Sequence, residues 1–297
     1  MKLLSDFDGV WTVAAEEARA VFLYFRSEAA RMAGVDPELA QSEFERYRTV
    51  VHGSPERHGW RHQGRVTAYV DEDPFCLSNT LGAFLADTDD ETAWKYRDGI
   101  VAAGHESTET FADHCFLAAT TAYRREHPPA LVPTAAAVVQ ELGELEVHLV
   151  IVSNSPPEKI LGWFAAEGID HDPELVRVRG NAGKHVLGLD ETYLDAGERR
   201  VRVDRPGYRT ILEEEAPDLV LGDVFSLDLA LPCWLRNSKL AGAPRHTVLH
   251  AHAHTPAWTH GLSGKGPIDR IVNSIEELPG LARELARPSQ KSARSSS

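Results

Sequence analysis

A chain of 297 residues with 42% hydrophobic residues is long enough to bury a full core, in one large domain or two modest ones. Its formal charge of −14 argues against the basic face of a general phosphate-backbone binder, so nucleic acid is not an expected partner. Cys76, Cys115 and Cys233 lie too far apart for a zinc pattern or disulfide framework and fit a reducing cytoplasm.

In chain order, Lys2–Ser5 reads as a short buried strand that runs into Asp6-Phe7-Asp8-Gly9. Met1-Lys2-Leu3-Leu4 reaches those carboxylates too early for a signal peptide, and no run of about 18 apolar residues announces a membrane span. From Glu16 to Tyr123 the periodicity is helical, with runs at Glu16–Met32, Pro37–Val50, Glu91–Val101 and Ser107–Arg125. After His127-Pro128-Pro129, Thr134 is positioned to cap a helix Ala135–Leu142 closed by Gly143.

Strand and helix signals then alternate. Val147–Val152 reads as a strand, Pro157–Glu167 as a helix stopped by Gly168, and Leu175–Val178 as a strand. Pro206–Glu215 reads as a helix entering the strand Leu219–Leu221, with a helix from Ser226, a strand at Thr247–His250 and a last helix at Ile275–Ala286. Between Lys184 and Asp204, His185–Leu189 and Arg199–Val203 are candidates for a hairpin. Near-continuous apolar strands alternating with helices predict a parallel sheet covered on both faces. The expected organisation is an α/β doubly wound, Rossmann-like core over 1–12 and 130–286, an inserted α-helical cap over 13–129, and a Ser/Lys/Arg-rich disordered tail over 287–297.

In such a sheet ligands bind beyond the carboxyl ends of the strands, and the polar residues of this chain fall there repeatedly. Asp6 and Asp8 follow the first strand, Ser153-Asn154-Ser155 the second, and Gly222-Asp223 with Asp228 follow Leu219–Leu221. The ordered set Asp6-x-Asp8-Gly9-Val10-x-Thr12, then Ser153, then Gly222-Asp223-x-x-x-x-Asp228 resembles the haloacid dehalogenase superfamily. The resemblance covers roughly 1–12 and 130–235, and it implies a hydrolase of small phosphomonoesters with a cap between its first two motifs.

The resemblance assigns Asp6 the role of nucleophile and Asp8 that of general acid and base. A carboxylate nucleophile divides one hard hydrolysis into two steps through an aspartyl-phosphate, and Asp8 is spaced to protonate the leaving group and then activate water. Clustered carboxylates resist joint ionisation without a hard cation between them, which makes Mg2+ the expected cofactor. By resemblance its ligands are Asp6, the Asp8 carbonyl and Asp223, with Asp228 orienting a metal water or Asp223. Ser153 and Asn154 are expected on the phosphate, near the start of the Pro157 helix. The family commonly opens the helix before Gly-Asp with Lys-Pro; here Arg205-Pro206 stands there, and Lys184 lies in the preceding loop, so both are candidates for the basic phosphate contact.

Two other stretches carry charge. Arg57, Arg61 and Arg65 with three His in 52–65 read as a solvated loop, the alternative being contact with an anionic substrate. His246, His250, His252, His254 and His260 read as strand and loop residues rather than a metal tract, and Trp60 and Trp258 as packing anchors. Rival functions are a phosphotransferase or mutase on the same scaffold and a non-catalytic binding protein that keeps the fold. Dehalogenation needs no acid at Asp8, and phosphonate cleavage needs a cap lysine where 13–129 holds only Lys95. The expected partner is a small phosphorylated metabolite, with no membrane.

Overall fold

The computed structural model describes residues 1–286 except 129, 170, 171, 173 and 265; the expected tail at 287–297 lies outside the described residues. Strand β1 (Lys2–Ser5) enters a long insertion: α1 (Ala15–Ala33), α2 (Pro37–Gly53), the hairpin β2 (Gly59–His62) and β3 (Arg65–Tyr69), α3 (Leu77–Asp87), α4 (Glu91–Ala102) and α5 (Thr108–Glu126). The chain continues with α6 (Ala135–Glu144), β4 (His148–Val152), α7 (Pro157–Ala166), β5 (Val176–Arg179), the hairpin β6 (Tyr193–Ala196) and β7 (Arg199–Arg202), and α8 (Pro206–Glu215). It closes with β8 (Leu219–Gly222), a π-helical turn Phe225–Leu229, α9 (Ala230–Ser238), β9 (His246–His250), α10 (Ala257–His260), β10 (Arg270–Val272) and α11 (Leu278–Ala286).

The central sheet has the order β10-β9-β8-β1-β4-β5, and every pairing in it is parallel. Its strands are apolar on both faces because both are covered. Leu3, Leu149, Ile151, Leu219 and Leu221 pack against α6, α7 and α11 through Val138, Phe164 and Leu281. The alternate residues Leu4, Val150, Val152 and Val220 meet Tyr208, Leu212 and Leu231 of α8 and α9. The chain leaves β1 toward β4 and β5, then returns to the other side of β1 through β8, which puts the topological switch point beyond β1.

The insertion has its own core. Phe22 and Phe25 of α1, Phe44 and Tyr47 of α2, Leu81 of α3, Tyr96 of α4 and Phe111 of α5 form one buried cluster, with Phe44 edge-on to Tyr96 at 5.0 Å between ring centroids. Local signals hold the helix ends: Asp36 accepts from Glu38 N and Leu39 N at the start of α2, and Ser107 and Thr110 form a capping box on α5.

Several expectations need correction. The segment His52–Arg65 is not a solvated loop, because 59–69 folds into β2–β3 across a turn in which Gln63 (φ 51°) and Gly64 (φ 75°) both take left-handed backbone. His185–Leu189 is not a strand: Gly188 N and Asp190 N donate to Asp204, and β7 pairs with β6 instead. Thr134 makes no side-chain cap, and α6 runs through Gly143 before turning at Glu146 (φ 54°). Asp228 sits in the π-helical turn rather than on an α-helix. Among the described residues no helix is long and apolar enough to cross a membrane.

Candidate active site

The carboxyl ends of β1, β4, β8 and β9 open into a cleft of ≈ 1090 Å3 lined by Asp6, Asp8, Ser153, Asn154, Lys184, Asp223, Asp228 and His252, among others. Asp6 is fixed by its own backbone, whose N–H donates to Leu221 O on the neighbouring strand at 2.9 Å. Asp228 is aimed at it by the π-helical turn, with Oδ2 accepting from Val224 N at 3.0 Å. Asp6, Asp223 and Asp228 each offer an oxygen within 4.8 Å of the others. Gly9, at φ 84°, permits this convergence: a Cβ there would stand 2.1 Å from Asp223 Oδ2.

Lys184 is the basic residue the structure brings to this group. Its ammonium donates to Asp6 Oδ1 at 2.6 Å and Asp228 Oδ1 at 2.8 Å, and these carboxylates outweigh burial to raise its pKa. Asn154 reaches the site indirectly: its Oδ1 accepts from Lys184 N at 2.8 Å, holding the lysine's backbone in place. Arg205 is not brought to the cleft. Its two terminal nitrogens donate to the carbonyls of Lys184, Thr67 (2.6 Å), Arg202 (3.2 Å) and Ser226 (2.9 Å), so they are spent on the backbone, while Nε is buried without a partner. Burial lowers its pKa to about 10.

Asp8 belongs to a separate network. Its Oδ1 accepts from Lys159 Nζ at 2.7 Å, and its Oδ2 from Ser155 Oγ at 2.8 Å and Ser153 Oγ at 3.2 Å. Burial pushes this carboxyl up, but the charge and hydrogen bond of Lys159, with the hydrogen bonds of the two serines, outweigh it and the net pKa is lowered. Asp6 and Asp223 go the other way. Burial first and the Asp228 charge second hold both well above the ordinary carboxylate range, and the Lys184 charge only partly opposes this.

These features bear on a metal. Three carboxylates converge against one ammonium, and Asp223 Oδ1 is buried without a hydrogen-bond partner. Excess negative charge and an orphaned carboxylate oxygen in an all-oxygen cluster fit a hard divalent cation such as Mg2+.

Lys159 carries no signal in the strand-end pattern, and Ser155 and His252, though named from the sequence, were given no role at the site. Lys159 lies in the first turn of α7, where the helix dipole disfavours a cation; a lysine placed there signals an anion close by, which is Asp8. His252 is half-buried and His254 exposed. His250 is buried, all three line the cleft, and His252 Nε2 stands 3.5 Å from Asp223 Oδ2. The rule that flagged the other strand ends, applied after β9, points to them. Trp60 is more than a packing anchor, since it lines the cleft, whereas Trp258 packs on Tyr69 and Phe225. In 52–65, Arg61 pairs with Asp87 and Arg65 donates to Gly188 O; neither lines the cleft, nor does Arg57.

A doubly wound parallel sheet, with carboxylates gathered at its switch point and a helical insertion after the first strand, defines a capped α/β protein. Its chain path is similar to that of solved haloacid dehalogenase-type proteins. One is the putative HAD-hydrolase YfnB from Bacillus subtilis bound to magnesium, at 13% identity over 95% of this chain and 98% of that one, with a TM-score of 0.43. A HAD phosphatase from Thermococcus onnurineus is 14% identical over 95% and 97%, with a TM-score of 0.43. A 2-haloacid dehalogenase from Pseudomonas syringae is 14% identical over 96% and 99%, with a TM-score of 0.45. No protein-family model and no curated protein sequence matches the chain. Likeness at this level carries no chemistry; that is read from the side chains.

Proposed function

We propose that the chain is a phosphatase of the haloacid dehalogenase superfamily, which hydrolyses a small phosphomonoester through an aspartyl-phosphate on Asp6 with the help of a divalent cation, Mg2+ by preference. The observation that carries this reading is the division of the carboxylates. Asp6, Asp223 and Asp228 share one charged cluster, while Asp8 stands outside it in a proton-bearing network of its own.

Asp6 and Asp223, with the Asp8 carbonyl, would hold the cation, and Asp228 would orient them. Bound there, Mg2+ neutralises phosphate oxygens and aligns them for in-line attack. Lys184 lies against the Asp6 nucleophile and offsets charge on the transferring group. Ser153, whose Oγ donates to Asp8 Oδ2 at 3.2 Å, would turn its hydroxyl to a phosphate oxygen.

Lys159 Nζ donates to Asp8 Oδ1 at 2.7 Å and holds that carboxylate in place. Asp8 in its protonated form would give its proton to the leaving oxygen and then, as the carboxylate, take one from the water that opens the aspartyl-phosphate. This acid function favours phosphate esters over halides, which depart without a proton.

The test is hydrolysis of 4-nitrophenyl phosphate with added Mg2+ by wild type and Asp6→Asn. The amide is nearly isosteric and a poor nucleophile, so turnover should vanish with the circular dichroism spectrum unchanged. A variant within tenfold of wild type would remove Asp6 from the mechanism.

A further inference from the structure

The cleft of ≈ 1090 Å3 is far larger than a phosphate group requires, and its two sides differ in chemistry. The floor is the carboxylate and lysine cluster already described. On the insertion side stand Trp60 of β2, Phe75, and Phe116 and Leu117 of α5, with Val13 where the chain enters the insertion. The polar residues of that side are engaged, Asp73 with Trp60 Nε1, Thr120 with the Phe116 and Leu117 carbonyls and Arg124 with Glu17.

Phe116 is the centre of this wall. Its ring meets Trp60 edge-on at 6.0 Å and Phe75 at 6.0 Å between centroids. The only polar atom of Trp60's side chain is engaged elsewhere, since Nε1 donates to Asp73 Oδ2 at 2.6 Å. What the indole offers the cleft is therefore aromatic surface. Leu117 and Val13 are 63% and 65% exposed, large apolar side chains left in contact with solvent in the cleft that holds the carboxylate and lysine cluster.

A polyol or sugar would find no hydrogen-bond partner on these five side chains, and its hydroxyls would lose water without replacement. An apolar ring finds the reverse: edge and face contacts to aromatics and removal of exposed apolar surface from water. We infer that the substrate's leaving group is an apolar alcohol or phenol of at least one ring's size, seated on Trp60, Phe75, Phe116, Leu117 and Val13 while its phosphate lies at Asp6. This inference rests on the phosphatase reading and adds the substrate class to it.

The experiment compares 2-(1-naphthyl)ethyl phosphate with ethyl phosphate, whose leaving alcohols have similar acidity, so that chemistry is held nearly constant. Wild type should favour the naphthyl ester by tenfold or more in kcat/KM. Phe116→Ala and, because its exposed side chain can change without disturbing the core, Leu117→Asp should each cut that ratio by about tenfold. Calorimetric titration with 2-(1-naphthyl)ethanol reads the wall without catalysis. If both esters are cleaved with equal kcat/KM, or the ratio survives both substitutions, the inference falls and the phosphatase stands. If no ester is cleaved but the alcohol binds wild type and not Leu117→Asp, the wall stands and the phosphatase reading falls. Neither cleavage nor binding overturns both.

Discussion

Arg205→Ala separates two readings of a basic residue that its position beside Pro206 leaves open. The guanidinium is buried and donates to four backbone carbonyls, three of them outside its own stretch of chain: Lys184, Thr67 and Ser226. A hydrogen bond to a charged group contributes about 1.5–3 kcal/mol, and bonds sharing one guanidinium do not add fully. Leaving buried carbonyls without a donor costs about 1–3 kcal/mol for each, so with incomplete additivity a loss of several kcal/mol of unfolding free energy is expected here. Urea titration followed by tryptophan fluorescence measures it as a lower midpoint at unchanged slope. Lys184→Ala should show the opposite emphasis, a fall in kcat of about a hundredfold or more in a protein that still unfolds cooperatively. An Arg205→Ala protein within about 1 kcal/mol of wild type in stability, yet slowed a hundredfold, would mean that the guanidinium does reach the phosphate.

Two further outcomes are expected. Chelation by EDTA should stop turnover and Mg2+ restore it, with Ca2+ inhibiting because its looser coordination spoils in-line geometry; full activity in metal-free buffer would remove the cation from the reaction. Lys159→Met deletes the main influence that holds the Asp8 carboxyl down against burial, so its pKa should rise. With 4-nitrophenyl phosphate, whose leaving group needs no acid, the ionised form of Asp8 limits the rate, and the acidic limb of the kcat–pH profile should move to higher pH. An unmoved limb would detach Lys159 from Asp8.

Much of the core was legible because a parallel sheet buried on both faces writes itself as apolar runs. Val147–Val152 and Leu219–Leu221 were read as strands, and their structural counterparts are β4 and β8. Asp6, Asp8, Ser153 and Asp223 stood out for a related reason, as polar residues close behind such strands, and Asp228 by its spacing from Asp223. β2 and β3 were not legible: Gly59, the bulge at Trp60 and Arg61 and the charged residues hide their alternation. Nor was the choice between Arg205 and Lys184. Sequence shows where a cation stands, and only the three-dimensional path of Thr67 and Ser226 shows that carbonyls consume one of the two. α3 escaped notice because Leu77–Asp87 is buried along most of its length, which leaves no polar stripe to reveal a helical period.

The hairpin β2–β3 belongs in sequence to the insertion, yet it is fastened to the sheet side of the molecule. Thr67 O takes Arg205, Arg65 reaches Gly188 O, Tyr69 Oη donates to Arg200 O, and Asp71 pairs with Arg199. The chain also enters and leaves the insertion at one place, where Val132 N donates to Trp11 O beside the bridge between Thr12 and Leu131. A tethered lobe with a single root can swing; one that is moored at a second, distant point cannot do so without tearing several bonds at once. Whatever breathing admits a substrate must therefore come from bending within α1–α5 about a stationary hairpin, and Trp60, carried on that hairpin, stays beside the carboxylates throughout.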